Sequence, residues 1–371
     1  MTMKHIALIL CFFSMKLFAG GMLRENFEST RAAGMGNAFV ALADDSNALW
    51  QNPAGLAFIN GTHFNLVDAT LSVDSLDTLN RIKNLLFAGD AQNFLRLDQQ
   101  YQAFNFKPVF TTKYLGFSFY NNMVGWFDTK YLDVLGFSIP SVDVYAFNDT
   151  ALIGGFGVPV TNYFSFGASA RLMLRTAIDA NLSAQDLVAQ LGLASINEFD
   201  SAIYDSLKKL AGNGYGIGLN IGTMAKIPLG GKGAPMLQLA GVVEDVGQTG
   251  FTSLTTSLPA PPAIKTNYIG GAAILWPWGP NSRVSFSAEL RHLELPVGIN
   301  KKAHMGIEYK HKYYGLRVGF EQGYPTAGFS WELLPHTRVH FATYAKELGD
   351  SFRERSQRWY MLQLVIGFRP L

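Results

Sequence analysis

Cysteine is almost missing from this chain: one residue in 371, Cys11, and it lies in an N-terminal stretch that reads as a leader. The rest has no thiol, which excludes disulfides and thiolate metal sites. Charge is scarce as well. Lys, Arg, Asp and Glu make up 16% of the residues and nearly cancel, leaving a formal net charge of +2, so nothing marks a nucleic acid or other strongly acidic partner. Beyond the N-terminus there is no apolar run of about 18 residues, which excludes membrane-spanning helices. Nucleotide signatures are missing too. Gly34-Met35-Gly36 opens like a dinucleotide fingerprint, but Phe39 stands where the third glycine belongs. Gly231-Lys232-Gly233 lacks the residues that complete a phosphate loop. His336 and His340, on a turn and a strand, lie about 13 Å apart at strand rise, too far for one metal. No Ser/His/Asp set sits in a recognisable elbow. The sequence therefore points to no cofactor, no metal and no enzymatic centre.

Glycine and aromatics are plentiful instead: 37 Gly, and 13% Phe, Trp and Tyr. They fall in an alternating pattern. Leu115, Phe117 and Phe119 alternate with Gly116, Ser118 and Tyr120, and Tyr215, Ile217, Leu219 and Ile221 alternate with Gly214, Gly216, Gly218 and Asn220. Period two repeated along the chain means antiparallel strands with one apolar and one small or polar face. Fourteen such segments can be marked between residue 62 and the C-terminus. Short connections near Thr112, Val160, Gly231, Gly279, Lys312 and Pro335 alternate with long ones at 73–100, 123–143, 178–212, 247–265, 294–301 and 348–356; the short turn at Gly323-Tyr324 breaks this rhythm. Short turns at one end and long loops at the other are the pattern of an outer-membrane barrel.

The cost of charge decides which face meets lipid. A charge on the lipid face at the bilayer midplane costs roughly 2–4 kcal/mol. Arg171, Arg175, Glu244, Glu289, Arg291, Glu308, Arg317, Glu321 and Glu332 all fall on the Gly/Ser side, so that side is expected to line the lumen as a charge network. Tyr163, Trp276, Trp278, Tyr313, Tyr314, Trp359 and Tyr360 near strand ends are read as interfacial girdles. A soluble β-sandwich would also alternate, but segments of about ten residues match a tilted membrane span. Apolar residues at helical spacing in 76–97 and 183–210 suggest helical extracellular loops, the second opened by Ser183 as N-cap.

Two parts precede the first strand. Residues 1–19 read as a secretory signal peptide: Lys4, an apolar core from Ile6 to Phe13, then a small residue at Ala19 or Gly20. Residues 20–60 contain a stretch from Arg31 to Ala57 with neither helical nor strand period over its length. Its small residues permit close backbone packing, and Asn52-Pro53-Ala54-Gly55 is a turn with a fixed φ at Pro53. We expect this segment to fill a barrel built by residues 61–371. Asp44 and Asp45 read either as bridges to lumen arginines that gate the pore or as a structural turn pair, and Trp50 as packing within the segment.

Arg31-Ala32-Ala33-Gly34-Met35-Gly36, Ala43-Asp44-Asp45 and Asn52-Pro53-Ala54-Gly55-Leu56 together resemble the N-terminal segment of the FadL-like outer-membrane transporter superfamily. The close match covers residues 31–57; the barrel resembles the family in strand count and loop rhythm. The resemblance implies an all-β, transmembrane antiparallel barrel of about 14 strands with an N-terminal hatch in the lumen. It implies hatch or gating roles for Arg31, Gly34, Gly36, Asp44, Asp45, Trp50, Asn52, Pro53, Ala54 and Gly55. It also implies a hydrophobic small-molecule ligand such as a fatty acid, passive uptake, contact with outer-membrane lipid and residence in a Gram-negative outer membrane. The alternative, from PorV-type relatives, is a secretion-associated or structural barrel whose extracellular loops bind a protein partner.

Overall fold

The computed structural model describes residues 22–25, 27–75, 77–78, 80, 100–134, 137–183, 210–231, 233–349 and 351–368. The proposed signal peptide lies outside the described residues. So do almost all of the two loop segments expected to be helical, 76–97 and 183–210.

Fourteen antiparallel strands form the wall. They are β1 (His63–Val73), β2 (Gln100–Phe106, continued after a break as Val109–Thr111), β3 (Leu115–Val134), β4 (Phe137–Pro159), β5 (Phe164–Ser183), β6 (Gly212–Pro228) and β7 (Met236–Glu244). The second half comprises β8 (Asn267–Pro277), β9 (Ser282–Leu290), β10 (Ala303–His311), β11 (Tyr314–Glu321), β12 (Tyr324–Leu334), β13 (Thr337–Glu347) and β14 (Ser356–Phe368). Each strand pairs with its sequence neighbour, and β14 returns to pair with β1 from Phe64↔Phe368 to Val73↔Tyr360. The sheet is therefore closed and has no free edge.

The two faces follow the alternation read from the sequence. On β6, Tyr215, Ile217, Leu219 and Ile221 face outward and are exposed, whereas Asn220 and Met224 are buried inside. On β14, Tyr360, Leu362, Leu364 and Phe368 point out, and Trp359, Met361, Gln363 and Val365 point in. Hence Trp359 is not part of a girdle. Its ring lies inside, stacked on Tyr101 at 3.5 Å between centroids. The other residues assigned to girdles are exposed. A belt of exposed Phe, Leu, Ile and Val around a closed sheet is what lipid solvates and water does not.

One connection differs from expectation. Residues 123–143 form no long loop; β3 and β4 pair continuously from Leu115↔Phe156 to Val134↔Phe137. These strands are 20 and 23 residues long, and β5 is 20, about twice what a tilted span needs. The surplus projects beyond the barrel at the long-loop end. There Arg24 from the N-terminal segment reaches Asp179 at 2.6 Å and lies over the Tyr145 ring. Arg355 from the β13–β14 connection pairs with Asp128.

Candidate functional site

The segment from Phe27 to Ile59 lies inside the barrel. It holds two short helices, α1 (Thr30–Ala33) and α2 (Ala48–Gln51), and a 3-10 turn at Pro53–Phe58. So little regular structure leaves many backbone groups without local partners, and buried ones must be satisfied somehow. The wall does part of this. Glu289 accepts from the amides of Phe39 and Val40, both at 2.8 Å. Ser287 donates to the Ala38 carbonyl at 2.8 Å. Thr326 accepts from the Gly36 amide and donates to the Gly34 carbonyl. His304 Nδ1 lies 2.7 Å from the Gly36 carbonyl. Asn52 caps the 3-10 turn through the Ala54 amide and donates from Nδ2 to Val40 and Thr223 carbonyls.

Wall glycines make room for this contact. Gly306, Gly319 and Gly328 on β10, β11 and β12 press on Gly34, Met35 and Gly36, and Gly155, Gly157, Gly167 and Gly222 press on Leu49, Asn52 and Pro53. A Cβ on Gly319 would stand 2.5 Å from the Met305 carbonyl and 2.6 Å from Met35. Gly36 has φ +64 and could not carry a side chain without strain. These two sockets hold the two ends of the Arg31–Ala57 stretch. Trp50 is stacked on Phe27 at 5.0 Å and edge-on to Tyr120 at 6.0 Å. It belongs to the buried apolar cluster of the plug with Leu49, Leu56 and Ile59.

Arg31 is the electrostatic centre of the plug. It is 4% exposed. Its guanidinium grips Glu308 of β10 with two bonds, at 2.8 and 2.5 Å, and also reaches Asp44 at 2.5 Å and Asp45 at 2.8 Å. Arg317 also donates to Glu308, sharing Oε1 with Arg31 at 2.8 Å, and Arg283 bonds Asp44 at 2.7 Å. Burial alone would raise both aspartates, but Arg31 overcomes it and holds Asp44 well below the usual carboxylate range and Asp45 below it. The acid pair thus does reach a lumen arginine, but that arginine is Arg283 from β9. Arg171, Arg175 and Arg291 are engaged elsewhere, and Arg317 meets the pair only through Glu308.

Most of the other lumen charges read from the sequence also sit in pairs. Arg171 bonds Asp245, and Arg175 grips Asp149 at 2.7 and 2.6 Å. Glu321 pairs with Lys346, which also holds Glu28 of the plug. Arg291 collects Glu25, Glu244 and Glu289. Glu332 is opposite Arg338 in the ladder but forms no ion pair among the described residues. Sequence reading missed Glu25, Glu28, His292, Lys346 and Arg283. The first two precede the recognisable motif, Arg283 and Lys346 share the inward parity of their strands, and His292 lies past the end of β9 with a positive φ, where strand parity no longer applies.

The long-loop end of this network responds to pH. Burial would lower His292, yet Glu25, 2.9 Å away, raises it to about 9. Burial would raise Glu25, yet Arg291 and His292 hold it well below its usual value. A raised histidine stabilises fully below about pH 6.5 and loses that contribution as pH climbs through its folded value. A depressed carboxylate does so above about pH 4.5 and fails on acidification. Both act together between about pH 4.5 and 6.5. We therefore expect amide protection of residues 22–30, corrected for intrinsic exchange, to fall between pH 7 and 9.5, by up to roughly 3 kcal/mol. His292→Gln should flatten that alkaline limb and leave the acid limb in place.

Fold and site define the molecule as a closed antiparallel barrel plugged by its own N-terminal segment. Neither a protein-family model nor a curated protein matches the sequence. Solved structures do. The chain is similar to a Pseudomonas aeruginosa FadL homologue, with a TM-score of 0.50 at 9% identity over 95% of this chain and 100% of that one. It is similar to a deletion mutant of the TodX monoaromatic hydrocarbon channel, with a TM-score of 0.50 at 12% identity over 92% and 98%. The toluene transporter TbuX of Ralstonia pickettii aligns over 92% and 98% with a TM-score of 0.49 at 13% identity. The fold is thus that of the FadL-type barrels.

Proposed function

We propose that this protein is an outer-membrane channel for passive uptake of hydrophobic small molecules, inserted after removal of its leader and having no catalytic role. The observation that carries the reading is the architecture itself: a wall apolar outside, closed on itself, with a plug pinned inside, in the fold of a FadL homologue and a hydrocarbon channel. A polar cell surface holds apolar molecules back, and a protein that offers them a dry, partly apolar path lowers that barrier. The outer end of such a path is a cavity of about 40 Å³ between the plug and β1–β3, lined on its apolar side by Phe27, Tyr101, Val124 and Met361. A void that small has room for water but not for an aromatic ring. Entry therefore requires Phe27 and its neighbours to swing aside while the plug stays anchored further in.

Titration of the detergent-purified protein with toluene and with a medium-chain fatty acid, followed by tryptophan fluorescence, tests this. Saturable binding of one class is expected, weakened at least roughly tenfold by Val124→Asp, because a buried unpaired charge would face the ligand. Binding of neither class would remove the uptake reading.

A further inference from the structure

A second cavity, of about 380 Å³, lies at the short-turn end beneath Arg31. Its lining is unlike the rest of the lumen. Several buried cations are matched with carboxylates, Arg31 in this lining and Arg171, Arg175, Arg291, Arg317 and Lys346 outside it. Lys226, Lys310 and Arg338 point into this cavity from β6, β10 and β13, and among the described residues none of them forms an ion pair. The cavity's own acids are already engaged. Asp44 and Asp45 are held by Arg31, and Asp44 by Arg283 as well. Asp68 accepts from Gln363 at 2.6 Å and faces Lys107 at 3.9 Å. Among the described residues the Lys226 ammonium lies 3.7 Å from the Phe58 ring centroid and 3.3 Å from the Gln238 amide oxygen in its satisfied orientation.

Lys226, Lys310 and Arg338 are half-buried on separate strands, and the carboxylate that acts on both lysines, Asp44, is already bonded to Arg31 and Arg283. With Arg31 and Arg283, the lining holds five cationic side chains against the three carboxylates Asp44, Asp45 and Asp68. We propose that this cavity binds a small oxyanion, a carboxylate or a phosphate. An ammonium group can supply charge-assisted hydrogen bonds to such a group, and a guanidinium can grip it with two. The volume admits the anion together with several ordered waters or a short chain. Phe58, Leu275 and Val365 on the same wall give a carboxylate's tail an apolar surface. The site sits on the opposite side of the plug from the apolar cavity, so it stands whether or not hydrophobic molecules cross.

The experiment is calorimetric titration of the full chain in detergent at low ionic strength, with sodium hexanoate and inorganic phosphate as separate probes and sodium chloride as the screening control. Saturable binding of hexanoate, of phosphate or of both, weakened at least roughly tenfold in Lys226→Gln/Lys310→Gln, is the expected result. Binding of only one anion identifies the ligand's headgroup. Lys310→Glu serves as a second variant if the double substitution prevents folding, and should abolish binding by repulsion. No saturable binding of either probe, or the same affinity in the variants, overturns the proposal. Toluene binding should not change in these variants, which separates failure here from failure of the uptake reading.

Discussion

Arg31→Ala should release the plug from the wall while leaving the barrel closed. The substitution removes the one cation shared by Glu308, Asp44 and Asp45. Glu308 is fully buried and would keep only Arg317, with a longer approach by Arg283 at 3.6 Å. Stripping one partner from a buried ion cluster destabilises by roughly 3–5 kcal/mol, because a charge is left in a medium that cannot solvate it. The wall does not depend on Arg31, since β9, β10 and β11 are held by continuous ladders on both sides of Glu308. The loss should therefore appear locally. Amides from residue 30 to 58 should exchange at least a hundredfold faster, and protease should reach this stretch, while far-ultraviolet circular dichroism retains the full strand signal. Arg31→Lys should recover only part of the effect, since an ammonium cannot form the two-bond grip on Glu308.

Gly306→Val should produce the same phenotype by a different route. Valine suits a strand better than glycine, so the barrel itself should gain. The inward face is another matter. A Cβ at 306 would meet the Met35 backbone, at 2.8 Å from its carbonyl carbon and closer still to its oxygen. Real Cβ atoms do not approach backbone that closely, so the plug has to withdraw. Overpacking of this kind typically costs about 1–3 kcal/mol where neighbours can relax, and here the neighbour is backbone held by Thr326 and His304. The variant should melt no lower than the native barrel yet lose protection across residues 32–40. Gly270→Val is the matched control. Gly270 pairs with Leu290 in the same wall, but a Cβ there meets nothing within 4 Å, so the plug should stay in place.

Much of the wall was legible in the sequence, and the reason is physical. Lipid outside and plug inside demand opposite side chains at successive positions, so Ile217 and Gly218, or Leu362 and Gln363, differ sharply. Beyond the length of a membrane span, β3 and β4 continue as a hydrogen-bonded ladder to Val134↔Phe137, so a stretch read as a long loop by its length is paired strand. Trp359 misled for another reason: position near a strand end suggested a girdle, whereas its parity with Met361 and Gln363 put it inside.

The plug's motif was legible as a segment that must pack closely, but its partners were not. Glu308 lies 277 residues from Arg31 and Arg283 lies 239 from Asp44, and no local pattern joins them. The lumen acids were readable as inward-facing, while their tasks were not: Glu289 carries two plug amides as well as facing Arg291.

Single-channel conductance across a planar bilayer tests most directly the claim that residues 27–59 fill a closed barrel. The native protein should insert and stay nearly silent to ions, whereas Arg31→Ala and Gly306→Val should show steady openings of a wide water-filled pore. A native barrel that conducts freely, or variants that remain as silent as the native protein after their plug has become protease-sensitive, would contradict the account.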